Sequence, residues 1–120
     1  MTSSQATILV AHGSRNALAQ HEHERLVREV ATASGLDTRG AYLEIAEPAI
    51  SDAIDSAVAD GVPSIVIVPC FLHPGNHVLV DIPSIVGDAR DRHPNASIHL
   101  TDHLGASDQL VPLLVDLASI

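Results

Sequence analysis

The sequence predicts an α/β domain: a small doubly wound sheet of four parallel strands with helices on both faces. Three observations predict it. Short apolar runs alternate with helix-period segments in the order βαβαβαβα, the pattern of parallel strands joined by crossover helices. One run, Ile65-Val66-Ile67-Val68, is continuously apolar and β-branched, as suits a strand buried on both faces. Each strand is followed by a residue that can bind metal or move a proton, and parallel strands gather such residues along one edge.

The first strand is Ala6 to Val10, and it runs into Ala11-His12-Gly13-Ser14-Arg15, where glycine and serine stop it. A helix follows from about Ala17 to Ala33, with Leu26, Val27, Val30 and Ala31 at helical spacing and Ser34-Gly35 as its end. Thr38 to Leu43 is a weaker second strand that stops at Glu44. Glu47-Pro48 opens the second helix, with proline in the first turn, where its missing N–H costs little. Ala49, Ile50, Ala53, Ile54, Ala57 and Val58 form its apolar stripe, Gly61 closes it and Pro63 bars its continuation.

The third strand, Ser64 to Val68, breaks at Pro69 and enters a loop that carries His73 and His77 around Pro74-Gly75. A third helix starts at Asp81-Ile82-Pro83, faces inward through Ile82, Ile85, Val86 and Ala89, and ends at His93-Pro94-Asn95. Ala96 to Leu100 is a short fourth strand, and a last helix runs from about Ser107, with Pro112 in its first turns. The edge strands of so small a sheet need cover, which a homodimer would supply.

At 120 residues the chain fits one domain, 1–120, with one core. No apolar run approaches the roughly 20 residues that span a membrane, and Met1 to Gln5 has none of the features of a signal peptide, so a cytoplasmic protein is expected. The single cysteine, Cys70, rules out an internal disulfide and an all-thiolate metal site, and it reads as a small buried hydrophobe. A net charge of -9 argues against nucleic acid as a partner, and so does an aromatic complement of only Tyr42 and Phe71.

His12 follows the first strand, Glu44 the second, His73 and His77 the third, and Asp102 and His103 the fourth. Glu44 has no evident local task, whereas Glu47, beside Pro48, is placed to serve a helix N-terminus. His73 and His77 are four apart, but Pro74-Gly75 argues against one helix presenting both, and His77 is expected to open the next segment. Gly13-Ser14 could cradle an anion at a helix N-terminus, and the Gly-x-Ser-x-Gly turn of a serine hydrolase is absent. His21 and His23 read as solvated, and His93 and His99 have no partner legible in the sequence.

Three motifs in order carry a resemblance: Ile8-Leu9-Val10-Ala11-His12-Gly13-Ser14-Arg15; Tyr42-Leu43-Glu44 with Glu47-Pro48; and Val68-Pro69-Cys70-Phe71-Leu72 with Gly75-Asn76-His77 and Asp81-Ile82-Pro83. In them the chain resembles the short, single-domain sirohydrochlorin chelatases of class II, from the first strand to the third helix. The resemblance implies a flavodoxin-like, chelatase-like sheet. It implies an ATP-independent enzyme that inserts a divalent metal, cobalt or ferrous iron (nickel in some relatives), into sirohydrochlorin, for sirohaem or cobalamin. No permanently bound cofactor is expected. It implies a homodimer, and it carries the motif histidines onto His12 and His77 as metal-binding and proton-accepting residues. The motif glutamate carries over to Glu44, with Glu47 as the alternative; His73 has no matching position and is considered for substrate binding with Ser14 and Arg15.

Residue chemistry agrees with metal insertion. Imidazole suits cobalt and iron and accepts protons near neutral pH, and a nearby carboxylate can orient it or hold the ion. Sirohydrochlorin carries several carboxylates, which an acidic protein repels; Arg15 beside His12 or the helix N-termini would hold them. Two other readings use the same residues: a non-catalytic metal-delivery protein, and an anion-binding or phosphotransfer domain built on Gly13-Ser14.

Overall fold

The computed structural model describes residues 3–119. The elements follow in the expected order: β1 (Gln5–Ala11), α1 (Ala17–Ser34), β2 (Asp37–Tyr42), α2 (Ile50–Ala59), β3 (Ser64–Pro69), α3 (Ile82–Arg92), β4 (Ser97–Leu100) and α4 (Leu110–Ala118). The four strands form one parallel sheet in the order β2-β1-β3-β4. Consecutive strands β1 and β2 are neighbours, and the chain then crosses β1 to place β3 on its other side. The order therefore reverses between β1 and β3, where open α/β sheets bind ligands at their carboxyl ends.

Side-chain alternation along the strands explains the layers. Ala6, Ile8 and Val10 of β1 and Ile65 and Ile67 of β3 are buried with Ile50, Ala53, Ile54 and Ala57 of α2 and Ile82, Val86 and Ala89 of α3. The other face of β1 is covered by α1. Here His23 is buried, its Nε2 donating to the Leu9 carbonyl at 2.9 Å and its ring edge-on to Tyr42. The expectation of a solvated His23 is thus corrected: its helical position faces the sheet, and a backbone acceptor satisfies its ring. His21 is exposed, beside Glu24.

Several boundaries move. α2 begins at Ile50, not at Glu47-Pro48: the Tyr42 N–H bonds the Pro48 carbonyl, holding that segment extended alongside β2, and the Glu47–Pro48 peptide is cis. The third helical segment begins four residues before the expected Asp81, as a π-helical turn over His77–Asp81 that continues into α3. It nucleates directly after Pro74-Gly75, the Gly75 carbonyl accepting from Val78 and Leu79. α4 begins at Leu110 after a 3₁₀ turn at Leu104–Ala106.

β3 is buried on one face only. Ile65, Ile67 and Pro69 are buried, but Val66 and Val68 are only half-buried, contrary to the two-sided burial its composition predicts. The reason lies in α4, which packs on neither face of the sheet. None of its residues is buried. Cys70, expected to be a buried hydrophobe, is half-buried, and desolvation raises its thiol pKa, which disfavours the reactive thiolate.

His93 also gains a partner that the sequence did not reveal. At the end of α3 its Nε2 lies 2.6 Å from Asp55 of α2, and Arg92 bonds the same carboxylate at 2.9 Å. His93, then Arg92, hold the Asp55 carboxyl below its ordinary range. A depressed folded-state pKa gives stability that is present above the unfolded value of about 3.9 and is lost as pH falls through the folded one. The wild type should therefore melt modestly above Asp55→Asn at about pH 7, and the gap should narrow as pH falls below about 3.9. Thermal unfolding by circular dichroism across that range checks it; a gap that persists in acid would remove the ion pairs as its source.

Candidate metal centre

The carboxyl ends of β1, β2 and β3 bring three of the predicted residues together. The ladder pairs Ala11 with Tyr42 and Val10 with Pro69, so the residues just beyond the strands start level with one another. Pairing continues past β1: the Leu43 N–H bonds the Ala11 carbonyl and the Glu44 N–H bonds the His12 carbonyl, at 2.9 and 3.0 Å. His12 Nε2 lies 3.1 Å from Glu44 Oε1. The ring of His77 stands edge-on to that of His12 with centroids 5.0 Å apart. One ligand atom from each of His12, Glu44 and His77 lies within 4.8 Å of the others, the one such group among the described residues.

The hydrogen bonds define what these rings offer. His12 Nδ1 lies 3.2 Å from the Gly13 carbonyl, and His77 Nδ1 lies 2.8 Å from Asp81 Oδ2. Both partners only accept, so both Nδ1 atoms carry the proton and both Nε2 atoms present lone pairs. The Nε2 lone pair of His12 then faces a carboxylate oxygen. Two acceptors at that distance need a cation or a proton between them, and two imidazoles with a carboxylate suit a first-row divalent ion. Such an ion binds each ligand at about 2.0–2.2 Å, so small side-chain rotations would close the cluster around it. Asp81 is the residue that sequence reading passed over as a helix start. It lies four residues beyond His77 on the π-helical turn and fixes that ring's tautomer. The available signal was the i, i+4 spacing of His77 and Asp81, obscured by a helix expected to start only at Asp81.

Backbone close to the cluster is under constraint. Gly13 has φ +106°, and a Cβ there would overlap the Glu44 carbonyl, so only glycine lets the two loops meet. Ile45 has φ 71° and is the one non-glycine residue with positive φ among the described residues. The Ala46 N–H bonds back to the Glu44 carbonyl at 2.8 Å, closing a γ-turn around Ile45. A β-branched residue held in this region costs on the order of 1–3 kcal/mol, and here the strained turn directly follows Glu44.

The remaining candidates lie around this centre or apart from it. Arg15 is exposed and has no ion-pair partner among the described residues, whereas Arg25, Arg39 and Arg92 are held by carboxylates and Arg90 by the Ile98 carbonyl. Ser14 Oγ accepts from the Asn16 N–H, and Asn16, not Ser14, caps α1 by accepting from Leu18. His73 is exposed in its loop and contributes no atom to the cluster. Glu47 is also outside it, lining a groove of about 390 Å³ with His23, Arg28 and Tyr42. His103 lines a separate groove beyond β4 with Thr101 and Asp102. Recesses of about 220 Å³ beside His12 and Ser14 and about 350 Å³ beside Glu44, His77 and Asp81 flank the cluster. The loops that carry its ligands also expose Ile45, Leu72, Leu79 and Val80.

These contacts yield a prediction. Gly13→Ala should leave a folded domain but push the Glu44 loop away from His12, weakening Co²⁺ binding about 10-fold or more in a calorimetric titration. Unchanged affinity would mean that the two loops need not touch for the ion to be held.

Residues 6–119 match the CbiX family. The chain is 34% identical over 110 residues to the chloroplastic sirohydrochlorin ferrochelatase of Arabidopsis thaliana, covering 91% of this chain and 49% of that protein. It is 29% identical to the sirohydrochlorin cobaltochelatase of Methanopyrus kandleri, covering 92% of each. The solved sirohydrochlorin chelatase SirB of Bacillus subtilis subspecies spizizenii, in complex with cobalt, superposes with a TM-score of 0.84 at 27% identity over 94% of this chain and 49% of that one. The chain thus spans about half the length of the Arabidopsis and Bacillus proteins and nearly all of the Methanopyrus one. A match over nearly the whole sheet and all three motif regions means that this chain belongs to the CbiX family.

Proposed function

We propose that the chain inserts a divalent metal ion, cobalt or ferrous iron, into sirohydrochlorin without ATP. The observation that carries this reading is the pairing of His12 Nε2 with Glu44 Oε1 at 3.1 Å, beside His77, at the reversal point of the sheet. The names of the relatives supply the tetrapyrrole and the two metals.

Metal insertion needs a site that holds an ion and then gives it up. His12, His77 and Glu44 are three ligands on partly exposed side chains, with no thiolate among them. They leave coordination positions free for pyrrole nitrogens and bind less tightly than a closed four-ligand cage. As a macrocycle nitrogen displaces an imidazole from the ion, that Nε2 regains its lone pair and can take the pyrrole proton. Two N–H protons leave the macrocycle as one doubly charged ion enters it. If His12 and His77 each accept one, the cluster exchanges a bound 2+ ion for two protons, and its charge does not change. Glu44 then stabilises the imidazolium of His12, and Asp81 that of His77.

Arg15 and Ser14 lie on the loop that carries His12, and Arg15 is free to pair with a carboxylate of the macrocycle. Exposed Ile45, Leu72, Leu79 and Val80 offer apolar contact to its ring faces. His73, exposed in the loop before His77, stands as an outer substrate contact. The chain is expected to act as a homodimer, with sirohydrochlorin and the metal ion as its substrates.

Anaerobic absorbance of sirohydrochlorin mixed with the protein and either Co²⁺ or Fe²⁺ tests the reading. Insertion should exceed the metal-only rate and fall to that rate in His12→Ala and His77→Ala, with the fold intact. Absence of acceleration with either ion, while Co²⁺ still binds, would leave a metal-delivery protein on the same fold. In the same assay Arg15→Ala should raise KM for sirohydrochlorin several-fold with little change in kcat; an unaltered KM would take Arg15 out of the substrate site.

A further inference from the structure

Ile45 is strained, and its side chain is not one that the strained turn requires. Its φ of 71° is the one positive value among the described non-glycine residues, and the Ala46 N–H bond to the Glu44 carbonyl closes the γ-turn around it. A branched Cβ crowds the backbone in that region, where glycine sits freely. The turn has a clear task. It ends the pairing that brings Glu44 beside His12, and it lays the Glu44 carbonyl against Gly13, where a Cβ would overlap it. Glycine at position 45 would make the same turn. The task therefore accounts for the backbone and leaves the isoleucine unexplained.

Burial does not explain it either. Ile45 is 58% exposed and belongs neither to the core nor to the partly buried side chains packed on it. An isoleucine so placed gains little of the apolar burial that would offset the strain. Strained residues of this kind cluster where a ligand is held.

We infer that Ile45 is a substrate contact that sets affinity for the macrocycle and not for the ion: its side chain meets an apolar face of the tetrapyrrole while its neighbour Glu44 meets the metal. This rests on the chelatase reading and divides the labour of one loop between the two substrates. An aliphatic side chain offers a metal no ligand atom, so Ile45 has nothing to give the ion directly. The sheet supports the division. The order β2-β1-β3 sets the Ile45 turn on one side of His12 and the His77 turn on the other. Leu79 and Val80, both more than half exposed, belong to that second turn. A flat ring over the three ligands thus has aliphatic residues on both flanks. Leu79 and Val80 sit on helical backbone that any apolar residue adopts, whereas Ile45 holds a conformation that disfavours its own residue type. The turn is also fixed on both sides of the contact, by the Glu44 N–H to the His12 carbonyl and the Ala46 N–H to the Glu44 carbonyl. Little backbone freedom is left to lose when a ligand seats there.

Ile45→Gly and Ile45→Leu separate the side chain from the turn. Each variant is compared with the wild type by melting temperature, by Co²⁺ affinity in calorimetry and by absorbance titration with metal-free sirohydrochlorin. Ile45→Gly should melt a few degrees higher, bind Co²⁺ within about twofold, and bind sirohydrochlorin about 5- to 10-fold more weakly. Ile45→Leu restores an aliphatic side chain of the same size and should recover most of that loss. Undiminished sirohydrochlorin affinity in Ile45→Gly overturns the inference and leaves the chelatase reading standing. A parallel loss of Co²⁺ affinity also overturns it, since Ile45 would then act by supporting Glu44. So does a lower melting temperature, since the side chain would then be stabilised within its own chain. A wild type that binds Co²⁺ but no sirohydrochlorin removes the chelatase reading itself, and the contact with it.

Discussion

The structure depends on β1 being bonded along both edges. Its ladder with β2 pairs Ala6 to Ala11 with Asp37 to Tyr42, and its ladder with β3 pairs Gln5 to Val10 with Ser64 to Pro69. Because all three strands run the same way, their ends are level, and the chain leaves them through loops that must share one small space. His12 and Glu44 meet there because the β1–β2 pairing continues two residues past the end of β2. Gly13 removes the one Cβ that would prevent it, and the turn at Ile45 ends it. His77 reaches the same place from the other side of β1, on a π-helical turn. The centre is a consequence of strand order, and the local backbone only trims it.

That origin explains why the ligands are so exposed. A cluster formed by loops above a sheet edge has protein below it and solvent above, and the side chains of His12, Glu44, His77 and Asp81 each keep roughly half their surface in water. Exposure weakens each electrostatic contact, so an ion bound there would be held by ligand bonds more than by a low-dielectric cavity. On the proposed function such an ion would stay exchangeable, with an open side for a large flat ligand. The orienting hydrogen bonds do the remaining work. With Nδ1 of His12 turned to a backbone carbonyl and Nδ1 of His77 turned to Asp81, neither ring can present its N–H to the ion.

Much of this was legible in the sequence. The alternation of apolar runs located all four strands and four helices. The residues after the first three strands named His12, Glu44, His73 and His77, of which the family resemblance singled out His12 and His77, and the choice of Glu44 over Glu47 followed from its lack of a local role; the structure places Glu44 beside His12 and Glu47 in another groove, with His73 outside the cluster. The misses share a cause. His23 and His93 are satisfied by groups far along the chain, the Leu9 carbonyl and Asp55, and no local pattern reports such partners. The helix boundaries shifted where tertiary bonds overrode local preference, as at Pro48, whose carbonyl is taken by Tyr42, and at His77, where a helical turn starts directly after Pro74-Gly75. The strand order, which brings β1 and β3 together, is also not written in any single segment.

The charge balance raises a final constraint. With a net charge of -9, the chain attracts a divalent cation over long range and repels a polycarboxylate. The metal and macrocycle of the proposed reaction would therefore face opposite gradients. Three of the six arginines are neutralised in place: Arg25 by Glu22 and Glu29, Arg39 by Asp37 and Asp60, Arg92 by Asp55. Arg15, on the loop that bears His12, is not. A guanidinium is charged at any relevant pH and binds a carboxylate through two parallel hydrogen bonds. A single such group beside the cluster corrects the field only within about a Debye length, roughly 8–10 Å at physiological salt. That range reaches a ligand already seated over the histidines and leaves the cation-attracting field of the remaining surface intact.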